Sequence, residues 1–279
     1  MGRVDLHLHS TASDGKFTPE EVVAKAAALG LRFIALTDHD SVDGIAPAVI
    51  AARAFPRLTF IPSVEVSTDV PEGEIHILGY FIDYHSNELA DTLKRFRDSR
   101  ETRARGMVEK LGKLGIVIDW PRVREIAGEG AIGRPHIAEA MLEKGYIENF
   151  KEAFEKYIGR DGPAYVEREK MLPAEAVALV LRSGGIPVLA HPFTVKEPER
   201  WVATLKRAGM AGIEAYYKDN TPENTKTTLN LAKKYGLIVT GGTDFHGIAD
   251  AGEVMMGGVD VPLTAAKRLI AMANKKSLR

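Results

Sequence analysis

Short apolar runs and longer amphipathic stretches alternate along the first part of the chain. Residues 4–8 carry a period-two beat, with Leu6 and Leu8 on one side and His7 and His9 on the other, which predicts a strand. Thr18-Pro19-Glu20-Glu21 reads as a capped helix start, with Thr at the N-cap, Pro at the first helical position and acids in the first turn. Gly30 ends that helix after Leu29. A second strand is predicted at 32–36, running into Thr37-Asp38-His39-Asp40, and a helix comes next over about 42–54. A third strand, 58–66, contains Pro62 and Glu65. Pro71-Glu72-Gly73-Glu74 then predicts a turn, with 75–81 as the hairpin partner.

The pattern changes near residue 87. Leu89, Leu93, Phe96, Met107, Val108, Leu111 and Leu114 form a long helical stripe studded with basic residues. Shorter helices are predicted at 121–127, 134–144 and 148–157, with no strand between them. This predicts an all-helical insertion, residues 100–165, between two parts of an α/β body, 1–99 and 166–279. Alternation then resumes: helix 173–182, strand 186–190, helix 197–208, strand 212–215, helix 222–235, strand 237–240 and a last helix at 263–274. Alternating strands and helices predict mainly parallel pairing, in a barrel or a doubly wound sheet.

The 279 residues are 45% hydrophobic and 27% charged, as in ordinary globular proteins, and the formal net charge of −1 provides no global field for nucleic acid or membrane. Cysteine is absent, which leaves His, Asp and Glu as metal ligands. No run approaches the ~18 apolar residues of a membrane span. The N-terminus lacks a signal-peptide core, and Leu6 stands where a myristoylation motif needs Ser or Thr. A cytoplasmic protein without membrane partners is expected.

Polar groups gather where chemistry gathers in parallel α/β folds, beyond the carboxyl ends of strands. His7 and His9 end the first strand; Asp38, His39 and Asp40 come after the second; Glu65 falls late in the third. His191 comes after the run 186–190, and Asp244 and His246 after the last strand. His76 converges on them only if 75–81 runs antiparallel to 58–66. Taken singly, each has an ordinary alternative. His39 could be a hydrogen-bonded loop residue, Asp14 could make a turn with Gly15, and Asp38 and Asp40 could cap the next helix or support a ligand. Glu214 could likewise be a supporting or structural residue. Six histidines meeting at one barrel mouth are harder to explain as independent solvated side chains, and neutral imidazole is a common ligand for divalent metals.

The segments His7-Leu8-His9 with Ser10 and Asp14-Gly15, Thr37-Asp38-His39-Asp40, Glu65, His76, His191-Pro192 and Gly242-Thr243-Asp244-Phe245-His246 resemble the motifs of the PHP (polymerase and histidinol phosphatase) superfamily. The helical block, with Gly133-Arg134-Pro135-His136, looks like the insertion of the subgroup of nucleotide phosphatases and 5′→3′ exoribonucleases. The resemblance implies a distorted (β/α)7 TIM-like barrel holding two or three divalent metal ions, Mn, Zn or Fe. His7, His9, Glu65 and Asp244 would hold one; Asp14, His39 and His246 the second; Glu65, His76 and His191 the third.

With three carboxylates and six neutral histidines, a three-metal site is strongly positive and suits a phosphate monoester. A metal-bridged hydroxide would attack phosphorus in line. His191, Asp244 and Arg134 are the expected catalytic residues, and Arg134, His136 and Arg160 the expected substrate-binding ones. A guanidinium suits bidentate phosphate recognition, and a cation is misplaced at a helix N-terminus unless it serves something else. Arg97, Arg100 and Arg103 share a helix stripe that reads either as a solvated face or as a track for a nucleic-acid backbone.

The expected activity is hydrolysis of nucleotide phosphate esters, as a 3′,5′-bisphosphonucleotide phosphatase, a 5′→3′ exoribonuclease on 5′-phosphorylated oligonucleotides, or both. Histidinol-phosphate phosphatase is the alternative among enzymes. A non-catalytic, metal-stabilised module binding nucleic acid or protein is the alternative of another class.

Overall fold

In a computed structural model, residues 3–70, 73–128, 132–167, 171–247 and 253–277 are described. The chain divides into two compact units, one made of 1–93 with 171–279 and the other of 94–170. The first holds seven strands: β1 (Val4–Leu8), β2 (Phe33–Leu36), β3 (Thr59–Val70), β4 (Gly73–Tyr80), β5 (Ile186–Leu189), β6 (Gly212–Tyr217) and β7 (Ile238–Gly242). They lie side by side in chain order in one sheet. β1–β2–β3 and β5–β6–β7 pair in parallel, whereas β4 is antiparallel to both of its neighbours.

The sheet nearly closes on itself. Leu8 bridges Phe245 in parallel, and the His9 N–H donates to the Phe245 carbonyl at 3.0 Å. Asp5, buried in β1, accepts from the Thr243 N–H (3.0 Å) and hydroxyl (2.7 Å) and from the Gly257 N–H (2.8 Å). The two ends of the sequence are therefore joined beside β1. Burial pushes the Asp5 carboxyl up to about 6, against these hydrogen bonds.

Helices cover the strands as the local signals direct. In α1 (Pro19–Ala28) the Thr18 hydroxyl accepts from the Glu21 N–H and the Glu21 carboxylate accepts from the Thr18 N–H, a reciprocal cap. Val22, Val23 and Ala26 pack with Leu8, Ile34 and Leu36, and with Ala48 of α2 (Ile45–Ala52). The last helix, Leu263–Ser277, sets Ala265, Ala266 and Leu269 against Val4, Leu6, Leu78, Tyr80 and Val188. In the second unit, Met107, Leu111, Val123, Ile137 and Met141 form a core of their own. No helix among the described residues is long and apolar enough to cross a membrane.

Several elements depart from the sequence pattern. β3 runs on to Val70 through the polar Ser67-Thr68-Asp69, because the hairpin ladder with β4 continues from Ser63–Tyr80 to Val70–Gly73. The Pro71-Glu72 part of the expected turn lies outside the described residues. β6 extends past Ala215 to Tyr217 after a register shift between Glu214 and Tyr216. The expected helix 42–54 shortens to α2. The expected helix 148–157 divides into a short α-segment, Phe150–Ala153, and a π-turn, Phe154–Ile158.

Candidate metal centre

The histidines come from both ends of the chain. His7 sits where the β1–β2 register shifts, between Asp5 and Leu8, and its ring centroid is 5.2 Å from that of His9. His76 lies opposite Ser67 in the antiparallel β3–β4 ladder, which brings it to the same end as the others. His191 lies just after β5, and Asp244 and His246 just after β7.

Glu65, fully buried, is the centre of this group. Its Oε2 lies 3.1 Å from His7 Nε2, 3.3 Å from His9 Nε2 and 3.2 Å from His39 Nδ1. Its Oε1 lies 2.8 Å from His76 Nδ1 and 3.0 Å from His191 Nε2. Asp244 Oδ1 approaches His9 Nε2 at 3.0 Å and His7 Nε2 at 3.4 Å. Asp14 Oδ1 stands 3.3 Å from His246 Nε2, and its Oδ2 stands 3.9 Å from His39 Nε2. Among the described residues three clusters could hold an ion: His7, His9, Glu65 and Asp244; His9, Asp14, His39 and His246; and His39, Glu65 and His76.

The donor chemistry fits divalent cations. Both ring nitrogens of His9, Asp14 Oδ1 and His76 Nε2 are buried with no hydrogen-bond partner among the described residues, although oppositely charged atoms stand close by. Buried polar atoms without partners are costly, and a cation among these lone pairs would satisfy several together. Electrostatics point the same way. Burial opposes charge on every group, yet the histidines around Glu65 hold its carboxyl well below the ordinary range, and His7 and His9 do the same for Asp244. Burial also presses His9 down, but Asp244 and Glu65 outweigh it and raise the imidazole to about 10. Burial prevails at His39, which falls to about 4. The carboxylates therefore demand positive charge, which protons or metal ions can supply.

Supporting residues complete the site. Glu214 Oε1 lies 3.0 Å from His7 Nδ1, and its Oε2 accepts from the His191 N–H at 2.9 Å. This orients two of the candidate ligands. The helix-capping alternative for Asp38 and Asp40 does not hold, since Gly44 is the N-cap of α2 and no side chain caps it. Asp38 instead ties down the loop after β1, accepting from the Ser10 N–H (2.7 Å), the Ser10 hydroxyl (2.8 Å) and the Ser13 hydroxyl (2.6 Å). Asp40 accepts from the Ser67 N–H. Sequence reasoning missed Asp5, Tyr217, Lys218 and Glu253. Glu253 accepts from the N–H groups of His246 and Gly247, both at 2.7 Å. Polar residues just past the run 212–215 were the available signal for Tyr217 and Lys218.

The helical unit holds the other candidates. Arg134 begins the helix Arg134–Glu143, with its guanidinium carbon 5.5 Å from the Phe154 ring centroid. His136 Nδ1 accepts from the Gly133 N–H at 3.0 Å, and Arg160 is exposed. On the long helix Asn87–Lys113, Arg103 is only 6% exposed and Arg97 and Arg100 are half-buried, so this stripe is not a solvated face.

The PHP domain family model matches residues 5–158. A 3′,5′-nucleoside bisphosphate phosphatase of Chromobacterium violaceum is 33% identical over 267 residues, covering 94% of this chain and 93% of its own. The 5′-3′ exoribonuclease Rnm of Escherichia coli is 33% identical over 247 residues, covering 87% and 84%. Among solved structures, a Bifidobacterium adolescentis protein described as a metal-dependent phosphoesterase superposes with a TM-score of 0.82 at 27% identity, over 96% of this chain and 95% of its own. A Chromobacterium violaceum protein described as an amidohydrolase, with bound sulfate and no metal, gives 0.83 at 32% identity, over 97% and 96%.

Proposed function

This chain belongs to the PHP domain family and is a metal-dependent phosphoesterase, and on that premise we propose that it hydrolyses phosphate esters of nucleotides. One observation carries the reading: Glu65 lies within 3.3 Å of His7, His9, His39, His76 and His191, drawn from four separate chain segments, and Asp14, Asp244 and His246 flank that cluster. Such a constellation has no structural purpose that an apolar core would not serve better. His7, His9, Glu65 and Asp244 would hold one divalent ion and Asp14, His39 and His246 another. Glu65, His76 and His191 would hold a third where three bind. Bound ions would supply positive charge to the phosphate oxygens and a water acidic enough to serve as nucleophile near neutral pH.

The chain's own residues do the rest. With an ion bound, Glu214, whose Oε1 lies 3.0 Å from His7 Nδ1, would accept from that nitrogen and leave the Nε2 lone pair for the ion. The positive φ of His191, 23°, and of Asp244, 50°, holds both residues at sharp turns just beyond their strands. Arg134 would clamp a phosphate of the substrate through its guanidinium fork. Arg160 would give a second clamp, and His136 would bind the substrate or protonate the leaving oxygen. The names of two relatives support nucleotide and RNA substrates.

The test is phosphate release, with Mn²⁺ and after chelation, from a 3′,5′-bisphosphonucleotide, a 5′-phosphorylated oligoribonucleotide and histidinol phosphate. Turnover of either nucleotide substrate, lost on chelation, is expected. Hydrolysis of histidinol phosphate alone, or activity that persists without metal, would overturn the reading.

A further inference from the structure

Asp244 presents its two carboxylate oxygens to different surroundings. Its Oδ1 faces His9, His7 and His246, at 3.0, 3.4 and 3.7 Å. Its Oδ2 is turned away from them, accepting from the Tyr217 hydroxyl at 3.0 Å, with Lys218 Nζ at 3.2 Å. The same ammonium donates to the Asp244 carbonyl at 3.0 Å, at a backbone φ of 50°. Left-handed backbone is uncommon outside glycine, although aspartate tolerates it better than most residues.

The route by which Tyr217 reaches this carboxylate is built into β6. Glu214 and Tyr217 are three apart, so in a regular strand their side chains would point to opposite faces. The β6–β7 pairing shifts register between Glu214 and Tyr216, and such an irregularity re-aims the side chains beyond it. As a result Glu214 reaches His7 while Tyr217 reaches Asp244, and the Tyr217 ring lies 5.4 Å from the ring of His191.

We propose that Tyr217 and Lys218 are positioning residues for Asp244, holding its Oδ2 and its backbone so that Oδ1 alone is offered to the ion shared with His7, His9 and Glu65. The proposal rests on the metal reading above. A carboxylate whose second oxygen takes a hydrogen bond from a phenol and an ion pair from an ammonium, the ammonium also bonding its backbone carbonyl, is a one-oxygen ligand of fixed direction. The pair therefore sets both the affinity for that ion and the acidity of a water on it.

The experiment compares the full-length wild type with Tyr217→Phe, Lys218→Met and Lys218→Arg, using Mn²⁺ titration against a competing chelator and the pH profile of kcat/KM. Tyr217→Phe removes one oxygen and keeps the ring. Both Tyr217→Phe and Lys218→Met should weaken the tightest Mn²⁺ site by about 10–100-fold and shift the acidic limb of the profile. Lys218→Arg should recover most of the affinity. Wild-type affinity and profile in both Tyr217→Phe and Lys218→Met would overturn the proposal. So would a raised KM at unchanged Mn²⁺ affinity, which would make Lys218 a substrate contact. A wild type that takes up no Mn²⁺ would instead overturn the metal reading itself.

Discussion

A Cβ built on Gly242 would stand 2.5 Å from both the Cβ and the backbone nitrogen of His7. The last strand thus passes against the first at the residue that begins the candidate metal cluster, and only a residue without a side chain permits the approach. Gly242→Ala should move β1 or β7 apart. Overpacking of this kind costs about 1–3 kcal/mol, and the displaced His7 should cost metal as well. Thermal denaturation and metal content by mass spectrometry check both effects. An unchanged melting point with a full complement of metal would show that the strands part freely.

Metal removal should destabilise the fold. The candidate ligands come from segments spread between His7 and His246, so an ion held by them ties those segments together in the folded state only. A ligand at about one hundred times its dissociation constant stabilises by about 2.7 kcal/mol per site. Chelation should therefore lower the melting temperature, and Mn²⁺ should restore it together with phosphate release. Identical melting curves with and without chelator would count against ions bound within this cluster.

The pH response comes from the same charges. In the metal-free protein, burial lowers the His9 imidazole but Asp244 and Glu65 raise it to about 10; Glu65 and Glu74 bring His76 to about 10 against burial in the same way. Unfolded histidine titrates near about 6.5. These raised values stabilise the metal-free fold fully below about pH 6.5, and the contribution fades as pH rises through about 10. Ions must displace these protons, so metal affinity should climb between about pH 6 and 9, with net proton release near neutral pH. Calorimetry in two buffers of different ionisation enthalpy measures that release. A binding enthalpy independent of buffer would refute it.

Arg134→Ala separates clamping from metal binding. Hydrogen bonds to charged groups are worth about 1.5–3 kcal/mol, so kcat/KM should fall by about tenfold or more while metal content stays at the wild-type level. Loss of metal in this variant would assign Arg134 a structural role instead.

Asp38→Asn tests the loop that carries Asp14. Asp38 accepts three hydrogen bonds from Ser10 and Ser13 while buried, and an amide cannot accept all of them. A stability loss of about 1–3 kcal/mol is expected, with weaker metal retention on the Asp14 side, read by denaturant unfolding and chelator competition. Wild-type values in both would mean that the loop is held by other contacts.

Much of the candidate centre was legible in the sequence because its candidate ligands stand just beyond apolar runs, and a strand end is a local property. His7, His9, His39, His191, Asp244 and His246 were readable in this way. His76 was readable only through the hairpin expected after 58–66, because its place depends on the direction of β4, and the antiparallel ladder from Ser63–Tyr80 to Val70–Gly73 has that direction. Asp5 gave no signal, since a single polar residue in an apolar run reads as a surface position until its partners Thr243 and Gly257 arrive from the far end of the chain.

The sequence by itself determined the alternation of strands and helices, the caps that start and stop α1, the helical block in the middle and the residue types available to a metal. These are matters of period, propensity and neighbouring side chains. Tertiary structure alone decided that five histidine rings would close on the two oxygens of Glu65, that Glu214 would meet His7, and that Asp244 would face the histidines with Oδ1 while Oδ2 meets Tyr217 and Lys218. Those relations join residues far apart in the chain, and they depend on register shifts in β1 and β6 that leave no mark on hydrophobic periodicity.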